Sequence, residues 1–151
     1  MAVQTIKDEV VEGVRYQINR MDARVGGLVL ARLISQLQKM AANSSETPTE
    51  GTGSEPAPEK LIQLLYLNLD ETDAIFVQNK ALACVGCYKQ AGQDEVVLPV
   101  LKNSMLAIPE LNTDIGTVLE LTRLALCANL APFFTKAGLE KLFSATADSS
   151  R

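Results

Sequence analysis

Leu121-Thr122-Arg123-Leu124-Ala125-Leu126-Cys127-Ala128-Asn129-Leu130-Ala131-Pro132-Phe133-Phe134 is the stretch that decides how this chain reads. It is the end of a helix that is apolar on nearly every face, stopped by a proline and followed at once by two phenylalanines. Such a helix is either the centre of a core or a surface made for another protein. The chain offers no comparable site for chemistry. It contains no histidine and no tryptophan, so a Ser/His/Asp triad is impossible. No glycine-rich loop follows a strand and opens a helix, so no nucleotide motif is present. The residues argue for a protein that binds proteins, not for an enzyme, and imply no cofactor.

Composition agrees with that reading. A chain of 151 residues is the usual size of one domain, and at 47% apolar it can bury a core without disulfides or metals. Only 5% is aromatic, so the core must be mainly Leu, Val, Ile and Ala, which suits helices. The net charge is −4. Positions 1–41 carry six bases and four acids, positions 42–58 three acids and no base, and positions 59–151 eight bases and eleven acids. No basic patch interleaved with aromatics emerges, so nucleic acid is not an expected partner. The N-terminus lacks the apolar core of a signal peptide. No apolar run approaches the roughly 18 residues that span a bilayer, so no membrane partner is expected.

The opening alternates. Val14, Tyr16 and Ile18 point one way, with Arg15, Gln17 and Asn19 on the other face, the pattern of a half-buried strand. Glu12-Gly13 is a turn signal and Val3 to Val10 the partner strand, giving a hairpin over about 3–19. From Asp22, a good N-cap, the period changes: Val25, Leu28, Val29, Arg32, Leu33, Leu37 and Met40 follow at helical spacing. Gly26-Gly27 weakens the first turns of that helix. The pair is either a frayed helix start or a place where another backbone comes close. Residues 42–58 have no large apolar side chain and read as a disordered acidic linker. They separate an N-terminal hairpin and helix (1–41) from a helical unit (59–146) that shares its core, with a loose tail at 147–151.

In the second unit Pro58 opens a short helix with Leu61, Ile62, Leu64 and Leu65. Asp70, with Asp73 three residues on, caps a longer helix whose stripe is Ala74, Val77, Ala81, Leu82, Val85 and Tyr88. Val96 to Leu101 turns back at Lys102-Asn103 onto Met105 to Ile108 as a second small hairpin, which Pro99 confines to an edge. The apolar helix spans about 114–130, and a last helix covers 136–145. The fold class expected is mainly α (α+β): a compact helical domain with one or two short hairpins and a disordered internal linker.

Cys84-Val85-Gly86-Cys87 has the spacing of redox and zinc sites. The pair falls near the C-terminal end of its expected helix, where the dipole opposes a thiolate. Three cysteines without histidine leave a structural zinc site incomplete within one chain. Two small buried residues one turn apart account for the pair. Asp70, Glu71 and Asp73 are explained by capping rather than by a cation, so no metal is expected.

Taken in order, the strand Gly13 to Ile18, the helix Asp22 to Met40, the acid-capped start Leu69 to Asp73, a loose hairpin and the ending Asn129-Leu130-Ala131-Pro132-Phe133-Phe134 resemble the tail assembly chaperones of long-tailed bacteriophages. The resemblance covers roughly 8–143 and is interrupted by the acidic linker. It implies a small, mostly helical, non-enzymatic protein of the host cytoplasm that coats the tape-measure protein. It also implies recruitment of tail tube protein, in many members through a longer frameshifted product, and departure before the virion matures. A permanent structural component of a tail or virion is the alternative, and a homo-oligomer stays open. The candidate partner-binding residues are Leu28, Leu33 and Leu37 on the first long helix, with Phe133 and Phe134. The two phenylalanines diverge by about 100° on a helix, so one is expected in the core and the other free to anchor a partner helix.

Overall fold

A computed structural model of the chain describes residues 4–43 and 57–149. Residues 44–56, most of the expected linker, lie outside the described residues.

Strand β1 (Thr5–Val11) and strand β2 (Val14–Asn19) form the first hairpin. Its turn, Glu12-Gly13, has φ of 51° and 77°, the left-handed pair whose twist matches two right-twisted strands. Tyr16 and Ile18 are buried on the inner face. Helix α1 (Ala23–Asn43) follows. Asp22 Oδ1 caps it by accepting the backbone N–H groups of Arg24 at 2.8 Å and Val25 at 3.3 Å. Val29 and Leu33 are its fully buried residues, with Val25, Leu30, Ile34, Leu37 and Met40 packed around them.

Helix α2 (Pro58–Leu67) buries Leu61, Ile62 and Leu65. Helix α3 (Glu71–Leu82) starts where Asp70 Oδ1 accepts the Asp73 N–H at 2.8 Å. The Asp73 carboxylate also pairs with Arg32. The Arg32 guanidinium lies 3.9 Å from the centre of the Phe76 ring, so a cation–π contact joins α1 to α3.

Three expectations need correction here. The helix from Asp70 stops at Leu82, and Val85–Ala91 is strand β3. Ala81, Leu82, Val85 and Tyr88 fit a helical stripe, but Val85 and Cys87 in fact alternate with Gly86 and Tyr88 across a sheet. Strand β4 (Asp94–Pro99) pairs back onto β3 and not onto Met105 to Ile108. Only β5 (Leu101–Lys102) and β6 (Met105–Leu106) form the second small hairpin, and its turn is Asn103-Ser104, with φ of 53° and 62°. Because β2 pairs with β3 through Tyr16↔Cys87 and Ile18↔Val85, the two longer hairpins merge into one antiparallel sheet of order β1-β2-β3-β4. The fold is therefore mixed α+β, not a helical domain with isolated hairpins. Pairing between segments about seventy residues apart leaves no local trace in either.

Helix α4 (Ile115–Leu130) is the hub, packed against α1, α2, α3 and the inner face of β1 and β2. Asp114 caps it, accepting the Thr117 N–H at 3.0 Å and the Thr117 hydroxyl at 2.7 Å. These bonds hold the Asp114 carboxyl below its ordinary pKa. Leu121, Thr122, Ala125 and Leu126 are fully buried, and Thr122 donates its hydroxyl to the Val118 carbonyl at 2.8 Å. Ile115–Phe134 is long and apolar enough by length and composition to cross a membrane, contrary to the sequence reading, and half of its most apolar window is buried inside the fold. It serves as a core helix. Two short 3-10 turns, Pro109–Thr113 and Ala131–Phe134, bracket α4, and helix α5 (Lys136–Ser149) follows, longer than expected. Buried side chains from both sides of the undescribed segment form one core.

Candidate functional site

Asn129 sets the geometry at the end of α4. Asparagine favours caps and turns over helix interiors, because its amide competes for backbone groups. Here that competition is used. Its Oδ1 accepts the Met21 N–H at 2.7 Å, and its Nδ2 donates to the carbonyls of Asn19 at 3.1 Å and Ala125 at 3.0 Å. One side chain thus clamps the β2–α1 link onto the end of α4.

Pro132 then ends the helix, and the 3-10 turn sends the two phenylalanines apart. Phe134 is 3% exposed and lies in the core, while Phe133 is 40% exposed. The backbone behind Phe133 is held by the start of α5. Thr135 donates its hydroxyl to the Pro132 carbonyl at 3.1 Å and accepts the Gly138 N–H at 3.0 Å. A Cβ on Gly138 would overlap the Pro132 carbonyl oxygen, so glycine is required there.

In front of Phe133 lies a cleft of about 330 Å³. Ala23, Gly26, Gly27 and Leu30 of α1 form one wall, with Leu130 and Phe133 on the other side. Arg20 and Asp22 also line it. Asp22 is committed to capping α1. Among the described residues no carboxylate pairs with Arg20. The site is a mainly apolar notch with Arg20 and Asp22, one charge of each sign, at its rim.

A family model described as phage tail assembly chaperone protein, TAC, matches residues 12–142. The chain belongs to the phage tail assembly chaperone family. No curated protein and no solved structure matches it. The match runs from the first turn into α5 and includes both walls of the cleft.

Three of the expected binding residues of this chaperone do not form one surface. Leu33 is fully buried and Leu37 packs against the core, while Leu28 is 57% exposed. Leu28 lies about 200° around the helix from Leu30 and so faces away from the cleft. Phe133 is the member of the expected set that lines it. The Asn129 clamp was missed by sequence reasoning, although Asn129 carried the Asn-x-x-x-Phe-Phe ending. A second notch of about 260 Å³ beside Leu106, Leu111, Ile115 and Leu119 was also missed, and there Ile115 is 76% exposed at the first position of α4.

The cysteines are packing residues. Cys87 is fully buried on the inner sheet face, and Cys84 donates its thiol to the Lys80 carbonyl at 3.4 Å. Burial pushes the Cys84 thiol up to about 11 and raises Cys87 and Cys127 as well, opposite to what a reactive thiolate needs. Among the described residues no group of three or more Cys, Asp or Glu is placed to hold a metal ion.

Proposed function

We propose that this chaperone binds the tape-measure protein in the host cytoplasm, keeps it soluble and helps recruit tail tube subunits, then leaves before the virion matures. The observation that carries this reading is an acidic chain of net charge −4 that keeps large apolar side chains on its surface, Leu67, Met105, Ile115 and Phe133 among them. A transient partner of an aggregation-prone helical protein needs both properties. Exposed apolar groups bind, and net charge keeps the free chaperone and the complex in solution. Membership of the tail assembly chaperone family supports the same direction.

Co-expression with the tape-measure protein of the same phage tests it. Tape-measure protein should move from the pellet to the soluble fraction and co-purify with the chaperone. Mass spectrometry of purified virions should find none of the chaperone. Stoichiometric retention in the particle would instead make it a permanent tail component. Insoluble tape-measure protein despite ample chaperone would end the proposal.

A further inference from the structure

We propose that strand β4 is the pairing edge for a second copy of this chain. The two β4 strands run antiparallel about a two-fold axis at Val97, so that two four-stranded sheets join along one seam. This goes beyond the chaperone reading and does not rest on it. Two observations carry it: the contrast between the two edges of the sheet, and the pattern of β4 itself.

An edge strand exposes a row of unpaired backbone groups, and proteins blunt it with charge, irregularity or cover. At one edge β1 is blunted. Lys7, Asp8 and Glu9 follow one another, Lys7 pairs with Glu9 at 3.0 Å, and the ladder to β2 slips between Thr5 and Lys7. At the other edge β4 is open. Val96, Val97 and Leu98 are 36%, 40% and 42% exposed, and among the described residues no strand pairs with their outer side. Val96 and Leu98 stand on the inner face of the sheet, in register with Lys89 and Cys87, and Val97 on the outer face against Gly86. That inner face is covered at Ile18, Val85 and Cys87, and the cover stops short of Val96 and Leu98. The backbone is placed to match. The two-residue turn Gly92-Gln93 makes Ala91↔Asp94 a hydrogen-bonded pair. Alternation then turns the N–H groups of Val96 and Leu98 toward β3, in step with the Val100 N–H, which donates to the Val85 carbonyl at 3.0 Å. Glu95 and Val97 therefore present N–H and C=O groups to the open side. Pro99, which has no N–H to leave unpaired, presents its carbonyl there.

The pattern Asp94-Glu95-Val96-Val97-Leu98-Pro99 selects the occupant, because it complements itself when run antiparallel. Centred on Val97, the pairing sets Val97 opposite Val97 of the second copy, Val96 opposite Leu98, and Glu95 opposite Pro99. Each outward N–H meets an outward carbonyl, and the exposed Val96 and Leu98 of the two copies cover one another. Like charges fall apart. The two Glu95 carboxylates are separated by about 14 Å along the seam at the rise of a strand, beyond a Debye length of about 8 Å. Parallel pairing in register would instead bring acid to acid across about 4.8 Å. Centring the antiparallel pair on Val96 would set Val97 against Glu95 and Leu98 against Asp94, apolar groups against acids. Glu95 is already paired with Arg15 of its own sheet, so a basic strand from another protein finds that charge committed. A seam of 6 residues a side is smaller than a standard interface of roughly 1,600 Å², so the dimer is weak and reversible.

The experiment is sedimentation equilibrium of the full chain over a concentration series, with melting followed for every variant. Wild type should pass from monomer to dimer as concentration rises, and added salt should change the dissociation constant little, because no ion pair crosses the seam. Val96→Lys and Leu98→Glu alter exposed side chains and should melt close to wild type. Each alone should raise the dissociation constant at least about tenfold. An equimolar mixture of the two should regain dimer, since the introduced ammonium of one copy then faces the introduced carboxylate of the other. Val10→Lys, on the blunted β1 edge, should leave the constant as in wild type. Wild type that stays monomeric to about 1 mM overturns the proposal, and loss of tape-measure capture by Leu98→Glu would then give the edge to a strand of that partner. A dimer that survives both charge variants, or that Val10→Lys dissolves, uses another surface and also overturns it. A mixture of folded variants that stays monomeric overturns the Val97 register. If a charge variant unfolds, Val97→Pro decides in its place, because it removes an outward N–H that β3 does not use and should abolish the dimer.

Discussion

The starts of α1 and α5 both border Phe133, and both combine a side-chain cap with a glycine near the first turn. At α5 the cap is Thr135 and the glycine is Gly138, seated so closely on the Pro132 carbonyl that no side chain fits. At α1 the cap is Asp22 and the glycines are Gly26 and Gly27, with open space beside Gly27. One junction is filled by the chain itself, and the other is left unfilled by the described residues. A small residue is explained by a fold only when something in that fold occupies the place of its missing side chain. By that criterion α5 is an intramolecular joint and the start of α1 is a face.

The adjacent phenylalanines give the largest test of this contrast. Phe134→Ala removes a side chain that is 3% exposed and should cost about 3–5 kcal/mol of stability. Phe133→Ala, at the cleft, should cost about 1 kcal/mol or less. Urea denaturation of the two variants measures the difference. Equal losses would place Phe133 in the core and close the open face.

Next in size is the filled joint. Gly138→Ala forces a methyl group into the Pro132 carbonyl and should destabilise by about 1–3 kcal/mol. The loss should concentrate in α5, so hydrogen exchange should speed up in residues 136–142 more than in α4. Unchanged exchange in α5 would show that the joint yields without strain.

The two junctions also differ in how much of them was legible in the sequence. The α1 stripe from Val25 to Met40 has a clean helical period, and the Asp70 and Asp73 cap is a local signal, so both elements could be read directly. Local signals cannot report what lies across space. Asn129 reaches Met21 and Asn19, more than one hundred residues away, and its clamp is invisible until the fold brings them together. Strand β3 was read as helix because Ala81, Leu82, Val85 and Tyr88 satisfy a helical period, while its true neighbours in β2 lie far back in the chain. The cleft was half legible. The glycine pair and the phenylalanine pair each stood out, yet nothing in the sequence says that they face each other, and Leu28 stood with Leu33 and Leu37 only because a stripe drawn too wide included it.

A smaller effect tests packing at the Cys84 thiol. With its folded pKa near 11, above an ordinary value of 9.0, Cys84 stays protonated in the folded chain at pH where the unfolded chain has lost the proton. The unfolded state then binds fewer protons, so stability falls as pH rises. Below pH 9 the effect is absent, and the loss accumulates between about 9 and 11. Cys84→Ala should flatten that part of the pH–stability curve, while Cys87, Cys127, Tyr16 and Tyr66, whose pKa values burial also raises, keep some of the slope. Native Cys84 should also alkylate far more slowly at pH 8 than a free thiol. Rapid alkylation under native conditions would show that the site is open, like the cleft and unlike the Gly138 joint.

The smallest effect has the opposite sign and bears most directly on the α1 face. Gly27→Ala adds a methyl group where the fold offers no contact within 4 Å. It should raise helix propensity and restrict the unfolded chain, stabilising the protein by about 0.5–1 kcal/mol. A glycine whose replacement stabilises the free protein is not kept for the stability of that protein. Chemical denaturation of Gly27→Ala beside Gly138→Ala reads both glycines on one scale. A gain at Gly27 and a loss at Gly138 separate face from joint. A loss at both would mean that the space beside Gly27 is filled by the chain itself, and the contrast between the two helix starts would disappear.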